Sequence, residues 1–195
     1  MISVIFPAYN EEGSVRELHE RIVRALTPLY EPFEIIAVNN ASVDRTREIL
    51  MSLRPITTIS FAYNIGQTAA IDAGIHHATG DIVIILDADL QNDPADIPRL
   101  IAKMREGYDV VVGWRKDRHD PLGRKVFSRI ANFITRRIAG ISLHDYGCAL
   151  RAFKRKDLEG LRLYGVMHVF IPVILGGRGA RIAEIEVKHY ERTAG

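Results

Sequence analysis

Apolar residues along this chain gather into short unbroken runs, separated by polar turns and by stretches with helical spacing. Ile2-Ser3-Val4-Ile5-Phe6 reads as a first strand. Pro7 should end it, because proline cannot donate to a central ladder. Ser14 reads as a helix N-cap, with Glu17 completing a capping box. Leu18, Ile22, Val23 and Leu26 then share one helical face, which stops near Pro28. Phe33 to Val38 is a second strand. A short helix with Ile49, Leu50 and Leu53 follows, closed by Pro55. Ile56 to Phe61 is a third strand, leading through Asn64-Ile65-Gly66-Gln67 to a small-residue helix that runs to about Ala78. Ile82 to Leu86 shows no alternation, so it reads as a strand buried on both faces. Pro94 stands where a first-turn proline belongs, behind Asp93 as N-cap. That helix carries Ile97, Leu100, Ile101 and Met104, and Tyr108 to Val112 forms a fifth strand that ends at Gly113-Trp114-Arg115.

Strands that alternate with helices of ordinary length predict an α/β fold, with a mainly parallel sheet flanked by helices. Right-handed crossovers would bring Tyr9–Glu11, Asn39–Asp44, Asn64–Gln67 and Asp87–Gln91 to one sheet edge. Open α/β sheets bind ligands at that edge. Beyond Arg115 the pattern changes. Lys116 to Pro121 is a charged loop. Leu122 to Ala139 reads as a basic amphipathic helix, with Val126, Ile130, Phe133, Ile134 and Ile138 in one stripe and Arg124, Lys125, Arg129, Arg136 and Arg137 elsewhere around it. It is either a surface helix with a solvated basic face or one that gathers phosphate or anionic lipid. Asp145-Tyr146-Gly147-Cys148 is a loop entering a short strand from Ala149 to Phe153. Met167 to Leu175 is apolar but shorter than the ~18–20 residues of a transmembrane helix. Arg181 to Tyr190 alternates, so it reads as a half-exposed strand, at an edge or in a small additional C-terminal β element.

The fourth strand ends in Asp87-Ala88-Asp89-Leu90-Gln91. Burying two carboxylates costs several kcal/mol unless something compensates. Alternate residues of an extended chain point the same way, so Asp87, Asp89 and Gln91 can converge. Three hard oxygen donors suit Mg²⁺ or Mn²⁺. The plainer alternative is that Asp89 only caps the turn before Pro94.

Composition refines this only slightly. The 195 residues, 47% hydrophobic and 26% charged, suit one ordinary globular domain, and a net charge of +2 is too small to argue for nucleic acid. The cations are concentrated between Arg115 and Lys156, which points to an anionic ligand or surface there. A single cysteine, Cys148, excludes an intrachain disulfide and reads as a small core residue. His76 and His77 read as packing and surface residues of a helix; His144 and His168 fall in loop-like sequence without an assigned role. No basic segment of a signal peptide follows Met1. Neither a P-loop nor Gly-x-Gly-x-x-Gly occurs, so nucleotide hydrolysis and dinucleotide redox chemistry lose support. A nucleotide-sugar fits a metal and diphosphate site best.

Pro7-Ala8-Tyr9-Asn10-Glu11-Glu12, the Asn39 to Thr46 turn, Gly80-Asp81 and Asp87-Ala88-Asp89-Leu90-Gln91 resemble the successive motifs of the inverting family-2 glycosyltransferases with a GT-A, Rossmann-like fold. Asn64-Ile65-Gly66-Gln67, Tyr108-Asp109-Val110-Val111, Asp145 to Phe153 and Phe170-Ile171-Pro172 resemble the polyprenyl-phosphate branch. Within it they look closest to the undecaprenyl-phosphate 4-deoxy-4-formamido-L-arabinose transferases, with dolichyl-phosphate mannose synthase a wider relative. The resemblance implies a single catalytic domain over residues 1–195, with a nucleotide-sugar and metal half (1–113) and an acceptor half (114–195). It implies that Pro7, Tyr9, Glu11, Val38, Asn40, Asn64, Asp87, Ala88 and Arg115 bind the nucleotide-sugar. Asp87, Asp89 and Gln91 would hold Mg²⁺ or Mn²⁺. Arg124, Ser128 and Arg151 would meet the acceptor phosphate, and Asp89, Asp145 and Arg124 would serve catalysis. Asp145 would be a base if the acceptor were a hydroxyl, or would orient Arg151 or Arg124. The implied partners are a nucleotide-diphosphate sugar, a polyprenyl phosphate and a membrane surface, at the cytoplasmic face of the cell membrane through a C-terminal membrane region that this chain lacks. No nucleic acid is implied, and homo-oligomerisation is left open.

One departure stands out. The family usually carries Asp-Asp-Gly-Ser where this chain has Asn39-Asn40-Ala41-Ser42. Asparagine can donate as well as accept, so uracil preference should weaken. An alternative reading of the chain is an inactive or regulatory nucleotide-sugar-binding domain of the same fold.

Overall fold

The computed structural model describes residues 1–116 and 143–191. The basic helix expected between Leu122 and Ala139, with Arg124 and Ser128 on it, lies outside the described residues.

Seven strands form one sheet: β1 (Ile2–Ala8), β2 (Phe33–Asn39), β3 (Thr57–Ser60), β4 (Ile82–Ile85), β5 (Val110–Trp114), β6 (Arg151–Lys154) and β7 (Ile182–Glu186). Their order is β3-β2-β1-β4-β6-β5-β7. Neighbours run parallel except β6, which is antiparallel to both β4 and β5. Every residue of β1 is buried, as its unbroken apolar run requires of a central strand. The helices are α1 (Val15–Leu26), α2 (Thr46–Ser52), α3 (Gln67–His77), α4 (Ile97–Arg105), the single turn α5 (Arg155–Leu158) and α6 (Met167–Gly177). α1 buries Val15, Leu18, Ile22 and Leu26, and α4 buries Ile97, Leu100, Ile101 and Met104. Both bury the apolar stripe that their spacing predicts. α3 lies so close to β1 that a Cβ on Gly74 would come within 2.3 Å of the Ile5 side chain.

Two local expectations are corrected. Pro7 does not end β1 but lies within it, opposite Val38 of β2. Ile5 bonds toward the β4 side, through its carbonyl to Leu86 N, and Ala8 bonds toward β2, through its carbonyl to Asn40 N. Pro7 therefore faces β4, beyond the last pair Ile5–Ile85, where no ladder donor is needed. The Ser14–Glu17 capping box does not form: the Ser14 hydroxyl donates to Glu11 Oε2 at 2.7 Å, and Glu17 pairs with Arg21 one turn on. The last strand is half-exposed and lies at an edge, one of the two places its alternation allowed: it closes the same sheet, parallel to β5. The expected cap at Asp93 is observed: its carboxylate accepts from Ala95 N at 3.0 Å ahead of the Pro94–Asp96 turn that leads into α4.

Candidate active site

The strand order runs outward from β1 to β2 and β3 on one side and to β4 on the other, so the sheet reverses direction between β1 and β4. Doubly wound sheets open a crevice at such a point. Here it is a cavity of about 210 Å³ lined by Pro7, Ala8, Tyr9 and Glu11 from the end of β1, Asn40 from β2, Gln67 from α3, and Asp87, Ala88 and Asp89 from β4. A larger concavity of about 1180 Å³ runs along α1 beside Arg16, Glu20 and Arg24, from Glu12 and Arg45 to Pro28, and includes neither Asp87 nor Asp89.

The β1 and β2 loops are stitched together. Asn10 Oδ1 accepts from Val43 N, Asn10 N donates to Ser42 Oγ, and Glu11 N donates to Thr46 Oγ1 at 2.8 Å. Glu11 is 8% exposed and also accepts from Ser14. Asn39 makes the Asx-type turn, its Oδ1 accepting from Ser42 N. Asn40 looks the other way: its amide donates to Asn64 Oδ1 at 2.9 Å, and its Oδ1 accepts from Ile65 N at 3.1 Å. An aspartate at position 40 could accept from Ile65 but could not donate to Asn64. The departure at Asn40 thus couples the β2 loop to the β3 loop. Ala41, where the family has glycine, adopts φ 60°, the left-handed region that suits glycine.

Asp87 and Asp89 leave the end of β4 into this crevice. Burial first, and then the Asp89 charge, push the Asp87 carboxyl up to about 6; the Arg151 and Arg115 charges and a hydrogen bond from Gln67 Nε2 at 2.7 Å pull against them. Two carboxylates at the mouth of a cavity, one of them resisting ionisation, form a donor set that a divalent cation would relieve. Gln91 does not fit the expected set. Leu90 adopts φ 60°, so the chain is not extended between Asp89 and Gln91, and the alternation that would align them fails. Gln91 is absent from the cavity lining; its N–H donates to Asp89 Oδ1 at 3.1 Å and its carbonyl accepts from Tyr190 N. Asp89 therefore also closes the turn that the plainer reading assigned to it. Gln67 is the amide that reaches Asp87. It stands in the Asn64-Ile65-Gly66-Gln67 motif, but only the fold shows that the start of α3 meets the end of β4.

Other expected site residues are corrected too. Val38 is fully buried in the core under α3, near Gly74, not beside the cavity. Asn64 is exposed and supports Asn40 and Gly66 rather than lining the cavity. Asp145, 2% exposed, makes no hydrogen bond to Arg151, and Arg124, the other residue it was expected to orient, lies outside the described residues. It takes Arg115 in a two-point ion pair, Nε to Oδ2 at 2.7 Å and Nη2 to Oδ1 at 3.0 Å. A carboxylate so engaged is a poor base. Arg151, also buried, spends its donors on main-chain carbonyls: Cys148 at 2.6 Å, Tyr146 at 2.9 Å, His168 at 2.7 Å and Val169 at 3.3 Å. It clamps the loop before β6 to the start of α6 and acts on the site through its charge. Arg124 and Ser128 lie outside the described residues. Cys148 is a buried core residue, its thiol pushed up to about 12 by burial.

The model of the family described as glycosyl transferase family 2 matches residues 3–162. The chain is 40% identical over 200 residues to the undecaprenyl-phosphate 4-deoxy-4-formamido-L-arabinose transferase of Pseudomonas aeruginosa and 41% identical over 199 residues to that of Edwardsiella ictaluri. These matches cover 100% of this chain but 59% and 61% of the two relatives, so the chain spans about three fifths of the length of the curated relatives it matches. Among solved structures, glucosyl-3-phosphoglycerate synthase from Mycobacterium tuberculosis in complex with Mn²⁺, uridine diphosphate and phosphoglyceric acid superposes with a TM-score of 0.77 at 23% identity, covering 98% of this chain and 71% of that one. The same synthase with Mn²⁺ and UDP-glucose gives 0.71 at 21% identity, covering 98% and 72%. Those two share the fold. Alignment across the whole chain and the family match over residues 3–162 together establish that the protein belongs to glycosyl transferase family 2.

Proposed function

We propose that this chain carries the catalytic site of a glycosyltransferase that moves a sugar from a UDP-linked donor to undecaprenyl phosphate with inversion. The observation that carries this reading is the crevice between β1 and β4, where Asp87 and Asp89 meet the Pro7–Glu11 loop and Asn40. The relatives' names supply the acceptor and the sugar, 4-deoxy-4-formamido-L-arabinose. The synthase of like fold, crystallised with Mn²⁺ and uridine diphosphate, supports the donor and the metal.

The chemistry asks little of a base. A phosphate monoester is largely dianionic at neutral pH, its second pKa being about 6. Its oxygen attacks the anomeric carbon, the bond to the diphosphate breaks on the opposite side, and the electron pair leaves with the diphosphate. Asp145 can therefore stay in its ion pair with Arg115 throughout. A divalent cation, Mg²⁺ or Mn²⁺, held by Asp87 and Asp89 would offset the charge that builds on the departing diphosphate. Arg115 and Arg151 add positive potential at the same place, as their pull on Asp87 indicates. Arg124 and Ser128 complete the reading as contacts to the acceptor phosphate at a membrane surface. Among the described residues no helix is long and apolar enough to cross a membrane.

The test is transfer itself. The chain, alone and within a protein of its relatives' full length, is incubated with undecaprenyl phosphate, MnCl₂ or MgCl₂, and labelled UDP-4-deoxy-4-formamido-L-arabinose or UDP-glucose. Label should pass into the organic phase, and Asp89→Asn should stop it. No label in the lipid from either form of the protein would overturn the proposal.

A further inference from the structure

Beside the crevice, and sharing Gln67 and Asp87 with it, lies a second and more enclosed cavity, also about 210 Å³. One wall is apolar, with Ile71, Ile85, Val169 and Ile171. His168 lines it as well. Its ring is held by a contact that fixes where its proton sits. The buried Thr68 hydroxyl lies 2.6 Å from the Gly165 carbonyl oxygen and 2.6 Å from His168 Nδ1. A hydroxyl has one proton, and a carbonyl can only accept. Two oxygens at 2.6 Å need a proton between them, so Thr68 donates to Gly165. The proton on the second contact must then come from the ring, which makes His168 the Nδ1–H tautomer and leaves Nε2 with its lone pair. Burial, and then the Arg151 charge, lower the His168 pKa, so the ring stays neutral near pH 7. Among the described residues Nε2 has no hydrogen-bond partner in the protein.

Taking the first cavity as the nucleotide-diphosphate site, we infer that the second cavity receives the donor's sugar ring and that His168 selects it, Nε2 accepting a hydrogen bond from an O–H or amide N–H of that sugar. The shared Asp87 stands at the junction, where the bond between diphosphate and sugar would lie. The apolar wall suits the C–H face of a sugar ring, and a bare acceptor leaves a sugar without a matching donor unpaired there. Discrimination of this kind is strong where the bound sugar covers the half-buried ring and cuts Nε2 off from water without supplying a donor. His168 contacts substrate in this account. Thr68 is a positioning residue that acts through the tautomer.

The experiment has two readouts on the 195-residue chain with MnCl₂. The first is the ¹⁵N shifts of the His168 ring, which separate a protonated nitrogen from one with a lone pair. Nδ1 should carry the proton in the parent and in Thr68→Ser, and Thr68→Val should lose that bias. The second is calorimetry with UDP, UDP-glucose and UDP-4-deoxy-4-formamido-L-arabinose. His168→Phe should weaken binding of the preferred UDP-sugar roughly five- to tenfold, the loss of one hydrogen bond, and leave UDP unchanged. Thr68→Val should move the same ratio in the same direction, and Thr68→Ser should restore it. A proton on Nε2 in the parent overturns the inference, as does a ratio of UDP-sugar to UDP affinity that His168→Phe does not change. Failure of the parent to bind UDP at all would instead overturn the nucleotide-site reading, and this inference with it.

Discussion

Asp87→Asn should stabilise the metal-free protein at neutral pH, although it removes a site residue. The Asp87 carboxyl is pushed from 3.8 to about 6, first by burial and then by the Asp89 charge. A carboxyl whose folded pKa is raised holds its proton more tightly when folded than when unfolded. The stability this gives is fully present below pH 3.8 and is lost as pH rises through about 6. At roughly 1.36 kcal/mol per pH unit the gap corresponds to about 3 kcal/mol, an upper figure. The carboxylate is half-buried and open to solvent through the crevice, so about 1.5 kcal/mol is the expected difference. Asparagine keeps the shape and can still accept from Gln67 Nε2, so little else changes. Urea denaturation of both proteins, without metal and at several pH values from 4 to 8, reads this directly. The variant should lead at pH 8, and its lead should shrink as pH falls through about 6 toward 4. MnCl₂ at pH 8 should raise the parent's stability and not the variant's. A variant less stable than the parent at pH 8, or a difference independent of pH, would refute the reasoning.

Other substitutions test the frame around the site. Ala41→Gly should stabilise by about 0.5–1 kcal/mol, measured by chemical denaturation, because the φ of 60° no longer strains a side chain. Gly80→Ala should destabilise by roughly 2–3 kcal/mol in the same assay: its Cβ would lie 2.8 Å from Ser3 N and 2.9 Å from the Ile2 carbonyl carbon, main-chain atoms that cannot turn aside. Asp145→Asn should cost roughly 1.5–3 kcal/mol by removing the charge from its two-point pair with Arg115, seen as a lower denaturation midpoint at unchanged slope.

β1, β2 and β4 and the edge to which their loops gather could be read from the sequence, because a strand buried on both faces has no alternation to confuse it with a surface element. Asp93 as a cap was equally plain, since capping depends on near neighbours. What failed depended on the direction or conformation of single residues. Pro7 was assigned as a stop because the sequence does not say on which side the ladder ends. Gln91 was aligned with Asp89 by an extended chain that Leu90 breaks. Val38 sits two residues before Asn40 of the cavity and is buried in the core instead. Arg151 and Asp145 were expected to meet phosphate and to act in catalysis, but their observed partners, main-chain carbonyls and Arg115, are fixed by tertiary packing that the sequence does not show. Gln67 and His168 reach their cavities only because α3 and α6 meet beneath the strand ends, a contact carried by Thr68 across 100 residues of chain.

The antiparallel placement of β6 also bears on how the chain can be divided. Residues 1–113 hold every residue lining the first cavity, which makes them look like a portable nucleotide-binding fragment. Yet β4 finds its second neighbour only in β6, with Ile82 against Lys154 and Ile85 against Arg151. A polypeptide ending before that strand would present Val83, Ile84 and Ile85 along an unpaired apolar edge, a template for pairing with further copies. Such truncations should collect in the insoluble fraction, and during synthesis the same edge stays open until the ribosome has delivered residues 151–154.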